Sequence, residues 1–108
     1  MVIVGGGRVG CAVLSRLPLT WTVVVIDGSE TAAARVSAAR ADARFVHGDG
    51  SSRLTLAEAN LDARSVLVAA TSSDAVNREA ARVAREHFGV HERVVGKSDG
   101  ARELAEGI

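Results

Sequence analysis

Gly5-Gly6-Gly7-Arg8-Val9-Gly10 follows the apolar run Met1–Val4 and opens a stretch with apolar residues at Val9, Ala12, Val13 and Leu17, which is helical spacing ended by Pro18. Next comes Thr22–Asp27 (T-V-V-V-I-D), whose four consecutive β-branched apolar residues predict a strand buried on both faces. Asp27 stands 22 positions after Gly5. A G-x-G-x-x-G loop between a strand and a helix, with an acid closing the following strand, is the setting that binds a dinucleotide. Gly5 serves the tight turn, Gly7 lets backbone amides approach a pyrophosphate, and Gly10 lets the helix pack on the strand. With Arg8 and Val9 in its first turn, the helix start offers free N–H donors and a partial positive charge to a phosphate. Asp27 suits ribose hydroxyls and repels a 2′-phosphate, favouring NAD or another unphosphorylated adenosine nucleotide over NADP. Asp27-Gly28 is also an ordinary turn dipeptide.

The same alternation continues along the chain. Ser29 reads as the N-cap of a helix reaching about Arg40, and Arg44–His47 as a third strand. Ser51 or Ser52 suits the cap of a short helix ending near Asn60, a residue that tolerates the left-handed conformation of a C′ position. Ser65–Ala70 is a fourth strand. Val76, Ala80, Val83, Ala84 and Phe88 form one stripe of a helix from about Asp74 to Gly89. Arg93–Gly96 is a fifth strand and Ala101–Glu106 a partial helix. Strands alternating with helices over short connections predict one α/β domain over residues 1–108, a doubly wound parallel sheet of Rossmann type. The complete dinucleotide fold has strand order 3-2-1-4-5-6; five strands are evident here and the sixth is not.

Composition narrows the function. Thirteen basic and thirteen acidic residues cancel, so nothing suggests a nucleic-acid partner or a basic membrane-binding surface. The longest apolar run, Val66–Ala70, is far short of the ~20 residues that cross a bilayer, so no direct membrane insertion is expected. No basic segment precedes the first apolar run, so a signal peptide is not expected, and the lone Cys11 excludes an intrachain disulfide and suits a cytoplasmic protein. Twelve of the thirteen basic residues are Arg, which makes Lys97 conspicuous.

Taken in order, the motifs resemble the N-terminal nucleotide-binding (KTN or RCK) domain of Trk-type potassium-uptake regulatory proteins. They are Gly5–Gly10 with Arg8, Val23–Asp27, Gly48-Asp49-Gly50-Ser51, Leu56–Leu61, Ala69–Asn77, and Val94-Val95-Gly96-Lys97. Gly50-Ser51 stands where the family has Ala-Thr, Asn60 where it has Gly, and Lys97 where Arg is common. The resemblance implies a cytoplasmic sensor that binds NAD(H) or ATP/ADP, lies at the inner face of the membrane through a potassium transporter or channel subunit, and forms a homodimer or higher ring. It also places Asp49, with Gly50 beside it, near the adenine or its ribose, although a Gly-Asp-Gly-Ser setting equally suits a turn. Thr71, Ser72 and Asp74 follow the fourth strand at the carboxyl edge of the sheet, where ligands bind in doubly wound folds; capping the next helix is the alternative for each of them, and the first choice for Ser72 and Ser73. Lys97 would reach a phosphate, or stand as a solvated loop-end residue.

Catalytic equipment is sparse. There is no Tyr for a Tyr–Lys pair, no nucleophile elbow, and Gly89 interrupts the helix that would align His87 with His91 as metal ligands. Cys11 lies in the first turn of a helix, where the dipole lowers a thiol pKa, or it is a small residue packed against the sheet. A non-enzymatic regulatory domain is therefore expected, with the NAD domain of a dehydrogenase whose catalytic segment is absent as the alternative.

Overall fold

The computed structural model describes residues 1–95. Lys97 and the partial helix expected at 101–106 lie outside the described residues. The elements alternate as β1 (Val2–Val4), α1 (Arg8–Arg16), β2 (Val24–Asp27), α2 (Ala32–Ala39), β3 (Arg44–His47), α3 (Arg53–Glu58), β4 (Val66–Ala69), α4 (Asp74–Phe88) and β5 (Glu92–Val95). The strands form one parallel sheet in the order β3-β2-β1-β4-β5.

Strand alternation divides the core in two. Val2 and Val4 of β1 point to one face, with Leu56 of α3 and Ala80, Val83 and Ala84 of α4. Ile3 points to the other, with Val13 and Leu14 of α1 and Val36 of α2. Helices thus cover both faces, the arrangement of a Rossmann-like doubly wound sheet. The chain leaves β1 toward β2 and β3 on one side, then crosses back to place β4 on the other. The loops after β1 and β4 therefore part company at the carboxyl edge and leave a crevice between them.

The helix ends follow local chemistry. Asn60 (φ 61°) and Gly89 (φ 68°) are both left-handed just beyond their helices, as their residue types predict. Beyond them, Leu61 N–H bonds back to the Leu56 carbonyl at 3.2 Å and Val90 N–H to the Ala84 carbonyl at 3.1 Å. Helix α2 starts later than expected, with Thr31 rather than Ser29 before its first residue and no side-chain cap. The hydroxyl that would cap the helix is engaged elsewhere, since Ser29 Oγ lies 2.7 Å from Thr31 Oγ1, while the Ser29 N–H donates to Asp27 Oδ1 at 2.8 Å in a turn. Ser52 precedes α3 without a side-chain cap bond.

Candidate functional site

The carboxyl ends of β1, β2, β3 and β4 surround a crevice of about 780 Å³, within the range of small-molecule sites. Gly5 (φ 113°) turns the chain out of β1, and a Cβ there would stand 2.9 Å from the Ala70 carbonyl carbon and oxygen. No other residue type fits that conformation and that contact. A Cβ on Gly10 would lie only 1.9 Å from the Gly5 carbonyl oxygen, so α1 sits as close to β1 as glycine permits. Gly10 is accordingly buried behind the loop, and does not line the crevice.

Gly7 faces the opposite situation, with nothing among the described residues within 4 Å of a Cβ built on it. It stands at the N-cap of α1, contributes no side chain there, and no acidic residue occupies the first turn. The first amide to bond back into the helix is that of Cys11, at 2.9 Å from the Gly7 carbonyl. Among the described residues, the N–H groups of Arg8, Val9 and Gly10 have no protein acceptor. Arg8 is exposed and Val9 half-buried, and both border the crevice. Free amides, a positive helix end and an Arg beside an open space are a donor set that fits a phosphate.

Asp27 borders the same crevice, beside the glycine loop, and is already in use. Its Oδ2 accepts the Gly6 N–H at 2.7 Å, while Oδ1 takes the Ser29 N–H. Arg35 of α2 donates to the Gly6 carbonyl at 3.3 Å, so Gly6 is held from both sides and the glycine loop is preformed. Each Asp27 oxygen keeps a further lone pair for a ligand hydroxyl. From β3, His47 Nε2 bonds the Gly28 carbonyl at 3.0 Å and ties the β2 loop down.

Beyond β3, Asp49 is exposed at the rim, where its Oδ1 accepts from the Ser51 N–H at 2.9 Å and the Ser51 hydroxyl at 2.7 Å. Those bonds, the hydroxyl first, hold its carboxyl below the usual carboxylate range. The turn role is thus present, and the carboxylate still borders the crevice. Gly50 is buried against the end of β1, where a Cβ would overlap Val4 Cγ1 at 2.1 Å. Only its backbone is available to the crevice.

After β4, Thr71 is turned inward. Its N–H donates to Asn77 Oδ1 at 2.9 Å, and its hydroxyl lies 2.7 Å from the same oxygen. Ser73 caps α4, its Oγ accepting the Val76 N–H at 3.2 Å. Ser72, between them, is exposed on the crevice wall and has no hydrogen bond among the described residues.

Two groups received no role from the sequence. Asn77, fully buried, occupies the face of α4 that the apolar stripe assigned to Val76, and Val76 lines the crevice instead. A polar residue three positions before Ala80, within the Thr71–Asn77 run, was the available signal. Arg35 carried none, because its role depends on α2 lying beside the glycine loop. An activated thiol at Cys11 is not found: burial pushes its pKa up, and the Sγ rests 3.5 Å from the Gly6 carbonyl.

Residues 1–105 match the TrkA-N domain family. The chain is 42% identical over 91 residues to the Trk system potassium uptake protein TrkA of Streptomyces coelicolor, covering 83% of this chain and 40% of that protein. It is 38% identical over 88 residues to the TrkA homolog of Methanothermobacter thermautotrophicus, covering 81% of this chain and 40% of that one. It thus matches about 40% of the length of either relative.

Proposed function

The chain belongs to the TrkA-N domain family, and we propose that it is a nucleotide-sensing regulatory domain, which binds NAD(H) or ATP/ADP in the crevice and controls potassium transport. The observation that carries this reading is that the amides of Arg8 and Val9, unpaired among the described residues, and the carboxylate of Asp27 border one crevice. The amides and Arg8 hold the pyrophosphate, Asp27 orients the adenosine ribose, and Asp49 and Ser72 border the same space. Such a domain needs no chemistry. A nucleotide that binds one conformation more tightly than another shifts the balance between them, and a membrane transporter or channel subunit reads the shift. The working form is a homodimer or higher ring on the cytoplasmic face of the membrane. No helix among the described residues is long and apolar enough to cross a membrane, so attachment through the transporter suits the chain.

Calorimetry with NAD⁺, NADH, ADP, ATP and NADP⁺ tests the reading. Binding of at least one adenosine nucleotide that lacks a 2′-phosphate is expected, with NADP⁺ weaker. Asp27→Ala should weaken NAD or ADP binding by ~1.5–3 kcal/mol, the worth of hydrogen bonds to a charged group. Asp27→Asn, which lacks the repelling charge, should narrow the gap between NAD⁺ and NADP⁺. Absence of heat with every nucleotide would end the proposal. A substrate-dependent oxidation of NADH that follows the protein through purification would replace it with the dehydrogenase reading.

A further inference from the structure

The side chain of Asn77 is fully buried on α4, yet all its assigned side-chain bonds go to one residue of the preceding loop. Its Oδ1 accepts the Thr71 N–H at 2.9 Å and faces the Thr71 hydroxyl at 2.7 Å, and its Nδ2 donates to the Thr71 carbonyl at 3.1 Å. Helix α4 has no need of this for its own start, because Ser73 Oγ already accepts the Val76 N–H. Ser73 is tied in turn, its N–H donating to the Thr71 hydroxyl oxygen at 3.1 Å. Both neighbours of Ser72 are therefore fixed, while the amide and hydroxyl of Ser72 are unbonded among the described residues and border the crevice. The clamp also seats Thr71 against the glycine loop, since the Thr71 nitrogen lies 3.1 Å from where a Cβ on Gly5 would stand.

We propose that Asn77 is a positioning residue for the nucleotide: by clamping Thr71 it holds Ser72 as the free hydrogen-bond donor of the β4–α4 loop, facing the ligand. The proposal rests on the nucleotide-binding reading for its consequence, but not for the clamp itself. A buried amide is costly unless bonded, and Asn77 bonds the two backbone groups that set the direction of the loop. If packing alone were at stake, an apolar residue would serve at this position, as Ala80, Val83 and Ala84 do on the same helix.

The test has two arms on the full chain. In the first, without ligand, amide hydrogen exchange should find the Thr71 N–H protected in the wild type and exposed in Asn77→Ala. In the second, ADP is titrated by calorimetry at a temperature where circular dichroism shows each protein folded. Asn77→Ala should weaken ADP by about tenfold or more, the loss of one well-placed hydrogen bond. Val83→Ala, a core truncation on the same helix away from the crevice, is the control for lost stability. It should leave ADP affinity within about twofold, since it touches no group at the site. Should Asn77→Ala not fold, Asn77→Asp keeps the shape and the acceptor, loses the donor to the Thr71 carbonyl, and should still weaken ADP. Equal losses in Asn77→Ala and Val83→Ala would overturn the proposal, as would unchanged Thr71 protection. A wild type that binds no nucleotide would instead refute the functional reading, leaving the exchange arm to judge the clamp.

Discussion

Arg8 occupies the first turn of α1, where the helix dipole is positive and a cation is unfavourable by ~0.3–1 kcal/mol. It is exposed and makes no ion pair among the described residues. A bound phosphate reverses the sign and turns the repulsion into a charge-assisted hydrogen bond. Arg8→Ala should therefore melt at the same temperature as the wild type or slightly higher without nucleotide, and gain less from ATP. Thermal melts with and without ATP check this, and equal shifts in the two proteins would make Arg8 a surface residue only. Asp27 illustrates the limit of reading single residues. Its type and position implied a ribose acceptor, whereas its bonds to the Gly6 and Ser29 amides depend on how the β1 and β2 loops meet. The same carboxylate shapes the pocket that it faces.

At the scale of elements, the closeness of α1 to β1 is set by Gly10. A methyl group there would strike the Gly5 carbonyl, so Gly10→Ala must push the helix outward or bend the loop. Overpacking of this kind costs ~1–3 kcal/mol, and the displaced helix start would carry its amides away from the position proposed for the phosphate. Gly10→Ala should thus lower both the melting temperature and nucleotide affinity, measured by thermal melts and calorimetry. Gly7→Ala, whose methyl meets none of the described residues, should change apo stability far less. The boundaries readable in advance were those fixed by backbone preference, such as Asn60 and Gly89. The start of α2 was not readable, because the Ser29 hydroxyl pairs with the Thr31 hydroxyl and not with a helix amide.

For the whole molecule, β3 and β5 are the outer strands of the described sheet, and outer strands present unpaired backbone groups that invite pairing or cover. The expected assembly is a homodimer that buries the β5 and α4 side. Sedimentation at micromolar concentration should show a species of twice the chain mass, and a strict monomer would count against the sensor reading. The strand order also makes the crevice. Only because β1 lies between β2 and β4 do its glycine loop and the Thr71 loop open side by side at one edge.

The amino-acid sequence by itself determined the element types, the parallel α/β class and the place of the glycine loop between a strand and a helix, because these follow from local periodicity, β-branching, turn residues and the spacing from Gly5 to Asp27. The motif succession extended this to Asp49, Gly50, Thr71 and Ser72, all of which reach the crevice. Tertiary structure alone decided what each of these groups is free to do. Thr71 is spent on Asn77, Gly50 on Val4, and Gly6 is pinned between Asp27 and Arg35. Such pairings join residues far apart in the chain or on different elements. Their geometry is settled when the helices dock on the sheet, and no local pattern encodes it.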